Sequence, residues 1–227
     1  MSLTLYDAPA PNPWVVRLFA LERKGLTIDV EPVDIMTLQN RRLAYRKINP
    51  RGELPALRVG NGDDAVVITE ITAICEYLDE IAKGGTSLYG SNALERAETR
   101  MWVRRMDLEI AQPVIEWFRN GPDSIDFYKG NRQPTPEARV NGKVAVNRAL
   151  NRLDDELEGR DYLAGERFSA ADVHLYGLLK MMVDGEHAVA PWVLAPGREN
   201  FLGWFKRVDE RPAAKDVMAT VGKKIDL

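Results

Sequence analysis

The chain has 227 residues, enough to bury one large core or two small ones. Its 31 basic and 34 acidic residues leave a formal charge of −3, which excludes the basic excess of a nucleic-acid binder, and its single cysteine excludes an intrachain disulfide. No apolar run approaches the ~18 residues of a membrane span, and no basic-then-apolar leader opens the chain, so a cytoplasmic globular protein is expected, with neither nucleic acid nor membrane among its partners.

Leu3-Thr4-Leu5-Tyr6 reads as a short strand, followed by prolines at alternate positions, Pro9, Pro11 and Pro13. Asn12 before Pro13 is a helix-start signal, because an Asn side chain caps free N–H groups and proline fits the first helical position. Val15, Leu18 and Phe19 have helical spacing, Arg23 and Lys24 suit the negative end of the helix dipole, and Gly25 ends the helix. Leu26, Ile28 and Val30 then alternate with polar residues in strand periodicity. Strand, helix and strand in so short a span make a right-handed βαβ unit with parallel strands.

After a polar stretch, residues 55–59 and 65–68 flank Asn61-Gly62, a hairpin signal. Thr69 is placed to cap the next helix, with Glu70 in its first turn and Ile71, Ile74, Cys75 and Leu78 along one face. "GGTSLYGSN" (84–92) has linker composition. Beyond it no sustained strand is legible. Leu94, Ala97, Met101 and Leu108 mark a long helix that Pro113 should bend. "NGPDSIDFYKGNRQPTP" reads as loop, and Thr135-Pro136 starts a helix with Val140, Val144, Leu150, Leu153 and Leu157 on its inner face. "FSAADVHLYGLLKMMV" is apolar enough to be a buried central helix, and Ser169 with Asp172 has capping-box spacing. "ENFLGWFKRVDERPA" supplies a last amphipathic helix. His174 and His187 stand apart from any Cys or carboxylate at metal-ligand spacing, so no metal site is expected.

The order βαβ then ββα, "NPRGELPAL", "TEITAICEYL" and "FSAAD" together resemble the cytosolic glutathione S-transferases, over nearly the whole chain. "APNPWVVRLFALERKG" with "ALERAETRMWVRRMDLEIAQPVIEWFRN" is most similar to a bacterial and fungal subgroup that lacks the usual Ser, Tyr or Cys at the start of the first helix. The fold class implied is α+β: a thioredoxin-like domain over residues 1–83, a linker over 84–92, and an all-α helical bundle over 93–227 that forms an electrophile pocket.

That resemblance implies glutathione as co-substrate, a small apolar electrophile as its partner, a homodimer, and a role in detoxification. Glutathione needs a site that favours its thiolate, and a fixed helix N-terminus is one source of such help. Asn12 is the nearest side-chain donor and hence the catalytic candidate, although capping alone also accounts for it. Leu54-Pro55 corresponds to the family's cis-proline, which exposes the preceding residue's backbone for pairing with the tripeptide. Glu70 would accept the γ-glutamyl ammonium. Ile71 departs from the family's Ser and offers only its backbone N–H. Asn40 sits where relatives hold the glycyl carboxylate, with Gln39, Arg41 and Arg51 as nearby alternatives. Trp14, Arg105 and Trp117 are candidates for the electrophile pocket between the domains, and core packing is the competing account of each tryptophan.

Three functions fit these residues. One is transfer of glutathione to an apolar electrophile. Another is a glutathione-dependent lyase, dehalogenase or isomerase reaction from the same thiolate. The last is a non-catalytic scaffold of the same fold, favoured by Ile71 and by the missing Ser, Tyr or Cys.

Overall fold

The computed structural model describes residues 2–128, 131–183 and 188–227. They form two compact units, one built from the chain up to Arg96 together with Asp209–Leu227, the other from Ala97–Val208. No helix among the described residues is long and apolar enough to cross a membrane.

In the first unit the chain runs β1 (Leu3–Asp7), α1 (Pro11–Arg23), β2 (Thr27–Pro32), α2 (Leu43–Arg46), β3 (Ala56–Val59), β4 (Val66–Thr69) and α3 (Ile71–Ile81). β1 and β2 are parallel, as the strand-helix-strand connection predicts, and β3 is antiparallel to both β1 and β4. The sheet order is β4-β3-β1-β2, a thioredoxin-like arrangement, with one added edge strand beside β2. That strand, β5 (Ile225–Asp226), pairs antiparallel with β2. The helical part expected over 93–227 therefore stops short of the C-terminal segment, which packs with the sheet. The core of this unit is Leu5, Val16, Leu18, Phe19, Ile28, Leu57, Ile74 and Leu78, all fully buried.

Among the described residues of this unit, two ion pairs have both side chains buried, and neither was expected. Arg17 meets Asp7 at 2.6 Å with both side chains wholly buried. Burial raises the Asp7 carboxyl above its usual range in spite of the neighbouring Arg17. Arg23 bonds to Asp79 at 2.8 Å, so it ties α1 to α3 in addition to meeting a helix dipole.

The second unit begins within α4 (Ala93–Met106). Residues Asp107–Ala111 form a π turn, and α5 (Gln112–Arg119) continues beyond it. Pro113 explains the break: it has no N–H for the Glu109 carbonyl and its ring would strike that group, so the wider turn absorbs the misfit. The segment read as loop after residue 120 contains a 3-10 turn at Pro122–Ser124 and a short helix, α6 (Ile125–Tyr128).

The apolar stripe Leu94, Ala97, Met101 and Leu108 faces outward, with Leu94 81% exposed. α7 (Pro136–Glu156) starts after Thr135 as read. Its inner face is Val146, Ala149, Leu150 and Leu153, whereas Val140 and Val144 are exposed, against expectation. Two apolar stripes run along this helix, and the sequence does not say which one is covered.

α8 (Ala170–Val183) is the buried centre of the unit. Its capping box is formed: the Ser169 N–H donates to Asp172 at 2.9 Å, and the Ser169 hydroxyl accepts from the Ala171 N–H at 3.3 Å. α9 (Glu199–Asp209) covers it with Phe201, Trp204, Phe205 and Val208, and α10 (Pro212–Asp216) leads back to the sheet.

Candidate functional site

Strand register assembles the expected residues of the first unit. Tyr6 of β1 stands opposite Ala56 of β3, which stands opposite Thr69 of β4. The turn from β1 into α1, the Leu54–Pro55 peptide and the Glu70–Ile71 step lie immediately beyond those three positions. They therefore share one end of the sheet.

At the first of these sites the structure corrects the cap assignment. Ala10 is the N-cap of α1, with Pro11, Asn12 and Pro13 as its first three helical residues. A helix start normally presents several free N–H groups. Here two of the positions are proline and the Ala10 N–H is bonded to the Ala8 carbonyl at 2.8 Å. The Asn12 N–H is left as the first-turn backbone donor without a backbone partner. Its side chain is half-buried and caps nothing. Asn12 thus offers a backbone N–H and a side-chain amide at the same helix end, where the dipole favours negative charge.

The Leu54–Pro55 peptide is cis. Neither the N–H nor the carbonyl of Leu54 is bonded to another backbone group, which leaves an open edge ahead of β3. The loop before it is held from the inside. Tyr45 Oη and Asn49 Nδ2 both donate to the Glu53 carbonyl, each at 2.8 Å, and Asn49 Oδ1 accepts from the Arg51 N–H at 3.1 Å. Asn49 and Tyr45 are site-building residues that the sequence reading missed. The Asn-Pro pair at 49–50, a turn opener, was the available signal.

Asn40 joins this loop from the other side, donating through Nδ2 to the Gly52 carbonyl at 2.7 Å. Gly52 has φ +68, and a Cβ there would come within 2.9 Å of the Asn40 carbonyl oxygen, so both the turn and the close approach require glycine. Asn40 Oδ1 is buried without a partner, which makes its open end an acceptor.

Glu70, not Thr69, is the N-cap of α3; Thr69 is the last residue of β4. Glu70 has φ +69, a conformation that non-glycine residues seldom adopt and that tends to persist at functional sites. Its carbonyl accepts from the Ile74 N–H at 3.0 Å while its carboxylate is exposed. The Glu70 charge also reaches Arg51, whose guanidinium is raised first by Glu53 and then by Glu70. Ile71 opens α3 half-exposed, with no side-chain donor to offer.

Of the three electrophile candidates, Trp14 belongs to the first unit and Arg105 and Trp117 to the second. Trp14 is packed in the first unit at 3% exposure, with its indole N–H unpartnered. Arg105, in the second unit, donates to both carboxylate oxygens of Glu156 at 2.8 Å and lies 4.6 Å over the Trp102 ring. Trp117 lines a cavity of about 620 Å³ against α7, and none of the glutathione candidates contributes to its walls.

Cys75 is buried, and burial, then Asp79, pushes its thiol well above the ordinary range. It has no reactive thiolate to offer. His174 approaches Asp107 at 3.4 Å, and His187 lies outside the described residues. No group of three or more His, Cys, Asp or Glu suited to a metal ion occurs among the described residues.

Residues 11–81 match the family model for the glutathione S-transferase N-terminal domain, and residues 122–212 match that for its C-terminal domain. The chain is 27% identical to protein LigF of Sphingobium, covering 100% of this chain and 96% of that one. The solved structure of that protein, described as a beta-etherase, shares the fold with a TM-score of 0.78 at 24% identity, covering 97% of this chain and 100% of that one. The chain is 28% identical to glutathione S-transferase GstA of Escherichia coli O157:H7, covering 90% of this chain and 92% of that one. The crystal structure of Gtt2 from Saccharomyces cerevisiae matches it with a TM-score of 0.81 at 25% identity, covering 94% of this chain and 99% of that one.

Proposed function

The chain belongs to the glutathione S-transferase family, and on that premise we propose that it is a glutathione-dependent enzyme that holds the thiolate of the tripeptide at the start of α1. The observation that carries this reading is the strand register that gathers the α1 start, Leu54–Pro55 and Glu70–Ile71 at one end of the sheet. Each offers what one part of glutathione needs. Asn12 offers donors for sulfur, the open Leu54 backbone can pair with the cysteinyl backbone, and Glu70 can accept the γ-glutamyl ammonium. Asn40 and Arg51 flank the glycyl end. Because the open atom of Asn40 is an acceptor, Arg51 is the better partner for that carboxylate.

Magnitudes are adequate. A thiol of pKa near 8.5 is a few per cent ionised at pH 7, and lowering that value by about two units takes ~2.7 kcal/mol. A hydrogen bond to a charged group contributes about 1.5–3 kcal/mol, so the two donors of Asn12 suffice. The thiolate then attacks an electrophile, and the protein's remaining task is positioning.

The reaction that follows is either transfer to a small apolar electrophile or thiolytic cleavage of an ether. The beta-etherase description of LigF favours the second. The expected setting is a cytoplasmic detoxification enzyme acting as a homodimer. The outward residues Leu94, Ala97 and Met101 of α4 support the dimer, since spacing of three and four residues makes one helix face suited to a partner.

A non-catalytic scaffold is the second reading, and Ile71 favours it, because the position that opens α3 lacks a hydroxyl. Calorimetric titration of reduced glutathione into the wild type and Glu70→Ala separates the readings. Saturable binding that the substitution weakens supports the enzyme. No binding to the folded wild type would leave the scaffold.

A further inference from the structure

Residues 35–52 contain the basic side chains Arg41, Arg42, Arg46, Lys47 and Arg51 and no Asp or Glu. The formal charge of −3 averages this segment away, although it is a cationic surface within an acidic chain.

The segment is fastened from within. Tyr45 of α2 packs in the core with Tyr6, Val33 and Ala56, and its hydroxyl donates to the Glu53 carbonyl at 2.8 Å. With Tyr45 directed inward, helical spacing sets Leu43, Arg46 and Lys47 on the opposite face, and all three are exposed. The preceding turn closes on itself. The Gln39 N–H donates to the Asp34 carbonyl at 2.9 Å, and Gln39 Oε1 accepts from the Asp34 N–H at 2.7 Å. Arg42 bridges turn and helix, donating through Nη2 to the Thr37 carbonyl at 3.0 Å. Met36 and Leu43 thus adjoin the two ends of one hydrogen bond.

These two side chains protrude, Met36 being 76% and Leu43 75% exposed. Side chains so exposed stand on a convex surface rather than in the wall of a groove. Arg42 and Arg46 beside them bond to carbonyls, those of Thr37 and Pro50, which fix the guanidiniums without neutralising them. Asp34, whose charge reaches Arg42, is turned to its own loop, where its carboxylate accepts from the Met36 and Thr37 N–H groups and the Thr37 hydroxyl. Glu53 pairs with Arg51 at 2.7 Å.

Protruding aliphatic side chains among cations fit a partner that is anionic at its surface and fluidly apolar just beneath, which describes a lipid bilayer. A nucleic acid also offers phosphates, but it stacks on aromatic rings, and the sole aromatic of this segment, Tyr45, is buried.

We propose that this surface docks the first unit on an anionic phospholipid membrane. Met36 and Leu43 enter the interface, and Arg42, Arg46 and Lys47 meet the headgroup phosphates.

The test is co-sedimentation of the full chain with phosphatidylcholine vesicles that contain roughly 30% phosphatidylserine, and with vesicles of phosphatidylcholine alone. Saturable binding to the anionic vesicles is expected, about tenfold or more tighter than to the neutral ones and weakened by salt. Arg46→Glu/Lys47→Glu should weaken it about tenfold or more, and Leu43→Ser about threefold or more, with thermal midpoints equal to the wild type. The same charge change on α7, Lys143→Glu/Arg148→Glu, should shift it less than about twofold. Neither docking variant alters a residue assigned to glutathione, so the result stands apart from the reading of that site. The proposal is overturned by no saturable binding, equal binding to neutral vesicles, an equal loss in the α7 variant, or undiminished binding of both docking variants. Displacement by a short single-stranded RNA, with Leu43→Ser binding as the wild type does, would make the surface a polyanion site and overturn the lipid assignment.

Discussion

The indole N–H of Trp204 donates to Asp172 Oδ1 across 2.8 Å and so ties α9 to the first turn of α8. The same carboxylate accepts from the Leu163 N–H, the Ser169 N–H and the Ser169 hydroxyl at 2.9, 2.9 and 3.0 Å. Burial raises this carboxyl above its usual range against the pull of those donors. One buried side chain thus joins a cap, a loop and a neighbouring helix. Asp172→Ala would strand several buried donors at once, and each such group costs about 1–3 kcal/mol. The expected loss of unfolding free energy is about 3 kcal/mol or more, read from guanidinium denaturation. Midpoints equal to the wild type would show that the network carries no net stability.

Asn12 is tested at the sulfur. Asn12→Ala keeps the backbone N–H and removes the amide, a loss of about 1.5 kcal/mol toward an anion, or roughly one pH unit. The ultraviolet thiolate absorbance of bound glutathione should therefore titrate about one unit higher in the variant. An unshifted curve would leave sulfur to the backbone alone.

Ile71 is tested by supplying what it lacks. Ile71→Ser adds a hydroxyl at the first position of α3, where the γ-glutamyl carboxylate is expected. A gain of about 1 kcal/mol, near fivefold in the calorimetric dissociation constant, is the expected result. No gain would mean that this carboxylate is held elsewhere.

Asp107 governs an acid-side prediction. Desolvation pushes its pKa up, but the His174 hydrogen bond and charge, with Gln112 and Arg104, hold it below the usual carboxylate value. A folded pKa below the unfolded one contributes stability that is fully present above about pH 4 and lost as pH falls through the folded value. Asp107→Asn should flatten the decline of the thermal midpoint in that acid window. A decline identical to that of the wild type would assign it to other groups.

Cys75 gives a simple chemical check. Its thiol is buried and its pKa is raised, so the thiolate fraction at pH 8 is far below that of a free cysteine. Ellman's reagent should find no reactive thiol in the native protein and one after denaturation. Prompt native reaction would contradict that burial.

Much of this was legible because it is local. Alternation in 26–30 fixes a strand, Ser169 and Asp172 announce their own cap, and Pro113 announces a broken helix. The cis peptide at Leu54–Pro55 was legible through motif order. Other features need partners that spacing cannot reveal. Asp79 lies 56 residues from Arg23, and Asn49 shapes the site loop from within. Asn12 was misread as a cap because its side chain suits that role, while Pro11 had already started the helix one residue earlier. The inner face of α7 was misread because Val140 and Val144 carry the same spacing as a buried stripe.

The late arrival of β5 has a consequence for synthesis. It pairs with β2, which ends at Pro32, yet it begins only at Ile225, so 192 residues lie between the two. At ~5–20 residues per second a ribosome needs about 10–40 s to cover that distance. Through that interval the β2 edge has no strand beside it, and Asp7 lacks its approach from Gly222. Until β5 is made, the β2 edge offers unpaired backbone groups, the feature that invites pairing with another chain.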